Sequence, residues 1–520
     1  MPLDIAYSVC PHDCPSACAL DVEIVAPDRI GRVRGSKDNR YTKGIVCSKV
    51  ARYAERVHHP DRLTQPLKRS GTKGSGQFKP IAWDDALDEV AKAFVLAADR
   101  HGTEAVWPYY YAGTMGLVQR DGINRLRNVM RYSRQLKSIC TGLADAGWMA
   151  GVGGKLGPDT CEIAMSDLIV IWGSNPVNTQ VNLMHHIARA RKDRGATLVV
   201  VDPYRTGTAS VADHHLALRP GSDGALACAV MHVLFKEGFA DRDYLARLTD
   251  AGPELESHLA VRTPEWGAAI TGLPVDEIIE FARLYGRTQR ALIRSGYGYS
   301  RSRNGAASVH AVTCLPSVTG AWQYEGGGAI YSNTLMFGID ATLIEGLDAL
   351  DRSTRELDMS RIGPILAGDK QSLKGGPPVS AMLIQNCNPM AVAPETGLVR
   401  TGFERDDLFV CVHEQFLTET ALMADIVLPA TTFLEHDDIY TALGHSHLQI
   451  APKAIEPVGE ALSNHEMLAG LARRLGASHP GFELTAWEMI DQTLVRSGKG
   501  TAAELADKRW IDCQPDFETS

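Results

Sequence analysis

Val22 and Ile24 alternate with polar residues, Pro27-Asp28 interrupts the run, and Ile30 and Val33 follow it. That period of two across a turn predicts a small hairpin. A basic, glycine-rich connector covers Leu67 to Gly76. Apolar residues at Leu87, Val90, Ala91, Phe94 and Val95 then fall at helical spacing and predict a helix from about Asp84. Asp167-Leu-Ile-Val-Ile-Trp172 reads as a buried strand that ends in Gly173-Ser174-Asn175-Pro176. A helix should follow, with Leu183, Met184, Ile187 and Ala188 inward and Gly195 as its stop. Leu198 to Val201 makes a second strand, closed by Asp202. Later helices are expected over Glu466 to Leu475 and around Trp487 to Val495.

Strand, tight glycine turn, helix, strand and acid, in that order, is the logic of a dinucleotide pocket. The turn admits phosphates to the backbone, the helix N-terminus favours their charge, and the acid takes ribose hydroxyls. The glycines are not those of a nicotinamide site. Gly151-Val-Gly153-Gly154-Lys155-Leu156-Gly157 misses the usual spacing by one position, precedes the strand, and has no Ser or Thr after Lys155. The pattern occurs twice. Thr206-Gly-Thr208-Ala209-x-x-Ala212-Asp213 recurs as Thr418-Glu-Thr420-Ala421-x-x-Ala424-Asp425. Asn175-Pro176 recurs as Asn388-Pro389 after the apolar Ala381 to Ile384, and Glu414 stands where Asp202 stands, after the strand Phe409 to Val412. Three matched features in one order imply two related α/β halves, each with its own pocket.

The chain is 520 residues long and 44% hydrophobic, enough for several domains with sizeable cores. A net charge of −9 with no long basic run argues against nucleic acid as a partner. No apolar run reaches membrane-helix length. The start, Met1-Pro-Leu-Asp-Ile-Ala, carries neither a basic region nor twin arginines, which suggests a cytoplasmic protein. Eleven cysteines should then be reduced or metal-bound. Four stand near the start: Cys10, Cys14 and Cys18 in one short run, and Cys47 after a 28-residue gap. Four thiolates suit a [4Fe-4S] cluster. A zinc site more often shows two tight pairs, and a disulfide framework belongs to small secreted domains. The three-plus-one spacing favours iron–sulfur, with zinc second. The other seven cysteines read mostly as small buried hydrophobes.

Cys-x3-Cys-x3-Cys, a single cysteine after a basic hairpin, then Ser48-Lys49 resembles the N-terminus of the molybdopterin oxidoreductases. The resemblance extends to about Gly476 through Trp172-Gly-Ser-Asn-Pro, Val201-Asp-Pro203, Arg219-Pro-Gly221-Ser-Asp223, Tyr297-Gly298, Asn304-Gly305, Gly326-Gly-Gly328, Gln385-Asn-Cys-Asn-Pro389 and Thr418 through Pro429. It implies a small iron–sulfur domain followed by two pseudo-symmetric α/β dinucleotide-binding domains, one of them discontinuous. The boundaries it suggests are 1–60 for the cluster, 61–135 with 331–500 for the discontinuous domain, 136–330 for the other, and a tail at 501–520. It implies molybdenum, with tungsten the alternative, between two molybdopterin guanine dinucleotides. Gly173, Ser174, Asn175, Asp202, Thr206, Gly221 and Asp223 would serve one dinucleotide, and Asn388, Glu414, Thr418 and Asp425 the other. Lys49, by itself an ordinary solvated lysine, would lie between cluster and metal.

In Lys137-Ser-Ile-Cys140-Thr-Gly-Leu-Ala, Cys140 falls where the family places its protein ligand to the metal, although it also reads as a buried cysteine. Thr141 replaces the histidine of formate dehydrogenases and counts against formate. The family continues into a β-rich C-terminal domain, for which no strand-rich segment follows here. A partner chain supplying it, truncation and loss of catalysis are the alternatives. The implied activity is two-electron chemistry on a small S-oxide, N-oxide, thiosulfate-type or formate-type substrate, with a redox protein or carrier as partner. The rival is a non-catalytic electron-transfer or scaffold subunit that keeps only the cluster.

Overall fold

The computed structural model describes residues 4–515. Residues 1–3, which carry part of the reading of the start, and residues 516–520 of the expected tail lie outside the described residues. Strands β1 (Asp4–Val9), β2 (Ala19–Ala26) and β3 (Arg29–Gly35) form an antiparallel sheet. β4 (Leu67–Arg69) and β5 (Phe78–Pro80) make a hairpin, so the expected connector begins as a strand. The Trp83–His101 helix leads into β6 (Val106–Tyr110), and β7 (Arg134–Leu136) precedes the Gly142–Val152 helix.

A parallel sheet follows, built from β8 (Leu168–Trp172), β9 (Thr197–Val201), β10 (His214–Leu216), β11 (Ala291–Ser295) and β12 (Gly328–Ile330) in the order β10-β9-β8-β11-β12. β13 (Glu356–Asp358) returns to pair with β7. β14 (Ala381–Gln385), β15 (Phe409–Glu414) and β16 (Ile426–Pro429) complete a second sheet in the order β5-β4-β16-β15-β14-β6. β17 (Asp438–Tyr440), β18 (His447–Ala451) and β19 (Trp510–Asp512) form a small antiparallel sheet. β19 is the strand that the reading of the last segment missed; three residues leave no periodic signal.

Four strands of one large sheet correspond to four of the other. β8, β9, β10 and β11 stand in the same lateral order as β14, β15, β16 and β6, all parallel. In the second sheet the fourth strand, β6, comes from an earlier part of the chain. Residues of β6, β8, β11 and β14 are buried throughout, which is why these strands read as continuous rather than alternating apolar runs.

Two helical faces differ from expectation. Val95 is exposed, and Ala97 completes the buried stripe of its helix. In the Val181–Arg194 helix Ala188 faces out, while Asn182, His186 and Ala190 are buried with Leu183 and Ile187. The reason is that this helix also packs on the cluster domain. Asn182 Nδ2 donates to the carbonyls of Thr42 and Ile45 at 3.1 and 2.8 Å, and His186 Nε2 lies 3.2 Å from the Tyr41 carbonyl. Hydrophobic spacing cannot show a polar contact of that kind. Of the seven cysteines beyond the first four, only Cys411 is fully buried; the other six are partly exposed.

Candidate cluster and cofactor site

β1 ends at Val9 and β2 begins at Ala19, so Cys10, Cys14 and Cys18 occupy the loop that joins them. The Cys10 N–H closes this loop on the Cys18 carbonyl at 2.9 Å. Cys47 caps the short Ser48–Ala51 helix. The charge on each of Cys10, Cys14 and Cys47 would be felt at Cys18, so the four sulfurs surround one region. All are free of disulfides. Burial raises the thiols of Cys10, Cys14 and Cys18, and as neutral thiols Cys14 donates to the Thr179 carbonyl at 2.9 Å and Cys18 to Asn182 Oδ1 at 3.2 Å. Thiolates here would need the charge of bound iron. Among the described residues no three His, Cys, Asp or Glu side chains gather tightly enough to hold a single ion.

The repeated motifs fold into the same hydrogen-bonded turn. Asn175 Oδ1 accepts from the Thr208 N–H at 3.2 Å and the Thr208 hydroxyl at 2.7 Å. Asn388 Oδ1 accepts from the Thr420 N–H at 3.2 Å and the Thr420 hydroxyl at 2.6 Å. Thr206 and Thr418 hydroxyls accept from the N–H of Ala209 and Ala421. Asp213 and Asp425 carboxylates each take the N–H of the second residue of β9 and β15, Leu198 and Val410, both at 2.8 Å. Gly173 and Asn386 share a left-handed backbone, with φ of 62° and 55°. Each accepts from a glycine beyond the fourth strand: Gly298 N–H to Gly173 and Gly113 N–H to Asn386, both at 2.9 Å. The crossings are tight. A Cβ on Gly296 would lie 2.3 Å from the Gly173 oxygen, and one on Gly113 2.6 Å from the Asn386 oxygen. They fall between β8 and β11 and between β14 and β6, the switch points where open α/β sheets hold nucleotides.

Asp202 directly follows β9 and Glu414 ends β15, and burial raises both carboxyls. Gly221 has a φ of 79° and its carbonyl accepts from Asn304 Nδ2 at 2.7 Å. Asp223 opens the Asp223–Lys236 helix and accepts from Trp172 Nε1 at 2.9 Å. Ser174 follows Gly173, its Cβ 2.5 Å from where a Cβ on Gly296 would fall. The side chains of Asn175, Thr206, Asn388, Thr418 and Asp425 are thus engaged within the turns. Backbone groups of these turns, with Asp202 and Glu414, are what remain to face a ligand.

Cys140 precedes the Gly142–Val152 helix. Burial raises its thiol and the Asp13 carboxylate adds to this, while Tyr111 and Arg301 nearby work against it. Tyr297 is within electrostatic reach of both Cys140 and Asp13. Tyr111 lies just beyond β6 of one sheet, Tyr297 just beyond β11 of the other, and Asp13 between two cluster cysteines. Cys140 therefore sits where both sheets and the cluster loop meet. Behind it, Asp145 accepts from Thr141 Oγ1 at 3.0 Å and Tyr331 Oη at 2.7 Å and pairs with Lys155 at 2.8 Å. Lys49 lines a separate cavity of about 660 Å³, with His12, Arg52, Arg56 and, from beyond β15, Phe416. Sequence reading did not find Asp13, Tyr111, Arg301 or Asp145. Asp13 was visible as an acid inside the cysteine run, and Tyr111-Ala-Gly113 as a counterpart of Gly296-Tyr297-Gly298.

A cysteine set for a metal cluster, placed ahead of two matched α/β sheets with open switch points, defines a metallocofactor protein of the redox type. Residues 62–474 match the family described as molybdopterin oxidoreductase, and residues 4–59 match the molybdopterin oxidoreductase Fe4S4 domain. The chain belongs to the molybdopterin oxidoreductase family. It is 38% identical to the probable oxidoreductase YoaE of Bacillus subtilis over 505 residues, 96% of this chain and 73% of that protein. It is 29% identical to dimethyl sulfoxide reductase DmsA of Haemophilus influenzae, over 91% of this chain and 65% of that protein. The fold is similar to that of acetylene hydratase from Pelobacter acetylenicus, with a TM-score of 0.82 and 20% identity over 98% of this chain and 74% of that one. Among the described residues no helix is long and apolar enough to cross a membrane.

Proposed function

We propose that this oxidoreductase performs two-electron chemistry on a small oxide-type substrate, an S-oxide before an N-oxide, and exchanges its electrons with a soluble carrier through a [4Fe-4S] cluster. The observation that carries the reading is the meeting of Tyr111, Tyr297 and Asp13 at Cys140. The preference for an S-oxide rests on the relationship to DmsA, and Thr141 beside Cys140 counts against formate.

Cys10, Cys14, Cys18 and Cys47 would hold the cluster. The turns at Gly173 to Asn175 and Asn386 to Asn388 would take the pyrophosphates of two molybdopterin guanine dinucleotides, with Asp202 and Glu414 on ribose hydroxyls. The domains proposed are 1–60, 136–330, and 61–135 with 331–500, followed by a tail at 501–520. Bound there with Cys140 as a ligand, molybdenum or tungsten would supply the oxygen-atom exchange. The chain's own residues orient and exclude. Tyr111 and Arg301, both close enough to act on the Cys140 thiol, can donate to a substrate oxygen. Asp145 fixes the start of the helix after Cys140 through Thr141, so the ligand loop keeps one position. Lys49 and its basic neighbours hold positive charge between the cluster and the second sheet.

Metal analysis of the purified protein tests this. Iron together with molybdenum or tungsten is expected; iron alone indicates a non-catalytic electron-transfer or scaffold subunit. A Cys140→Ser variant should keep the iron–sulfur absorption, change the molybdenum signal and lose turnover with artificial carriers. Unchanged signal and turnover would remove Cys140 from the centre.

A further inference from the structure

A second cavity, of about 200 Å³, lies between the Leu117–Asp121 helix and the segment 334–345. Its lining is apolar at Leu117, Phe337 and Ile339 and polar at Arg120, Asp121 and Glu345. That volume holds several waters. Behind the polar wall runs a chain of buried polar groups. Asn124 Nδ2 donates to Glu345 Oε2 and to Tyr110 Oη, each at 2.8 Å. Its amide cannot turn away, because Arg127 Nη1 donates to Asn124 Oδ1 at 2.7 Å. Tyr110 Oη donates in turn to Asp121 Oδ1 at 3.2 Å, and Lys137 Nζ reaches the same oxygen at 3.4 Å. Lys137 stands three residues before Cys140, and Arg120, paired with Asp121 at 2.6 Å, is within electrostatic reach of Asp13. The wall thus runs from the cavity toward the segment that carries Cys140.

We propose that Glu345 is a proton carrier for the active centre, loading from water in this cavity and exchanging with the Tyr110, Asp121 and Lys137 group that abuts the Cys140 loop. The inference rests on the function proposed above. Reducing an oxide to its parent compound and water takes up two protons with two electrons, and the reverse releases both. Electrons come one at a time from the external carrier through the cluster. Protons cannot travel that way over such distances and need a route of their own.

The two carboxyls on the wall are set apart by their neighbours. Burial works against ionised Asp121, but Arg120 and Lys137 outweigh it and bring the carboxyl down to about 2. Glu345 is raised, first by burial and then by the charge of Asp121; Lys137, the Asn124 amide and Arg120 oppose this without cancelling it. Arg127 also faces Glu345 from behind Asn124. Asp121 is therefore held ionised while Glu345 is biased toward its acid form, and three hydrogen bonds separate them, through the Asn124 amide nitrogen and the Tyr110 hydroxyl. Asp121 and Glu345 both line the cavity, so water within it would bridge that gap.

The test is Glu345→Gln in the metal-loaded enzyme. Cluster absorption and metal content should match wild type, while reductive turnover falls about a hundredfold at the pH where wild type is fastest. The variant should also lose the alkaline decline of the wild-type profile and recover in part when acetate is added as a small proton donor. Infrared titration gives a readout independent of turnover: a carboxylic acid band present in wild type, with or without metal, and absent in the variant. An unaltered pH–rate profile in a metal-replete variant, or no such band, overturns the proton carrier and leaves the proposed function standing. A wild-type protein devoid of molybdenum and tungsten removes the function, and the carrier with it.

Discussion

The junction between the cluster domain and the second sheet depends on one buried ion pair, and breaking it should loosen the cluster before anything else. Arg62 and Glu435 side chains are 1% and 0% exposed and meet in a two-point contact at 3.1 and 3.0 Å. Arg62 also donates to the carbonyls of Val57 and Ala430, both at 3.1 Å, and Glu435 Oε1 accepts the Val458 N–H at 2.9 Å. Val57 ends a helix of the cluster domain and Ala430 follows β16, so the pair spans the boundary. Arg62→Met leaves a buried carboxylate unpaired, which costs about 3–5 kcal/mol. Glu435→Leu strands the guanidinium at similar cost. The Arg62→Met/Glu435→Leu double variant removes both charges and should lose far less than the two singles combined. At about 2–4 °C per kcal/mol for units of this size, each single variant should melt roughly 6–20 °C below wild type, read by loss of cluster absorption on heating. Arg242→Ala, which breaks an exposed pair with Glu256, should melt with wild type. If the single variants behave like that control, or if the double variant is as weak as the two losses added, the junction does not rest on this pair.

Three further outcomes follow from the same geometry. Asn175→Ala and Asn388→Ala should each cost about 1–3 kcal/mol in thermal melts, because each leaves a buried Thr hydroxyl and N–H without an acceptor; similar losses in both halves are expected from their equal hydrogen bonds. Gly113→Ala would place a Cβ 2.6 Å from the Asn386 oxygen, so the crossing must open; purified protein should keep its iron and lose pterin, measured by fluorescence after oxidation. His413, His436 and His465 are depressed by burial from 6.5 to about 4, 3 and 4. Because the unfolded chain takes up protons first, their contribution is complete above about pH 6.5 and is lost as pH falls toward 4, so melting temperature should drop steeply across that window.

How much of this was legible depended on the kind of signal. β8, β9, β14 and β15 announce themselves as continuous apolar runs, and Asn-Pro after two of them carries the turn with its Thr partner. The repeat was readable because the same hydrogen bonds demand the same residue types. β6 was not readable as part of the second sheet. Val106 to Tyr110 contains Pro108, which discourages a central-strand reading, and its pairing with β14 spans more than half the chain. The exposed Val95 and the buried Asn182 and His186 show the other limit: periodicity finds the buried face of a helix but not a neighbouring domain that widens it. Asp13, Tyr111 and Arg301 come to Cys140 only through folding, from three separate segments.

The displaced strand also explains why Cys140 stands where it does. The chain lays down β6 at the edge of the second sheet, leaves to build the whole of the first, and returns for β14 to β16. It must therefore cross between the sheets twice. The outward crossing runs from Tyr111 to Asp167 and carries Cys140 and Asp145; the return runs from Tyr331 to Ser380 and carries Glu345. The outward crossing begins at a switch point, next to Gly113, and the return begins after β12, at the edge of the first sheet. A residue on such a segment can touch loops from both sheets, which residues inside either half cannot do. Tyr331 on the return crossing donates to Asp145 on the outward one at 2.7 Å, tying the two together beside Cys140. The permuted order thus brings both crossings to the junction, with Cys140 on one and Glu345 on the other, while the cluster domain closes the third side.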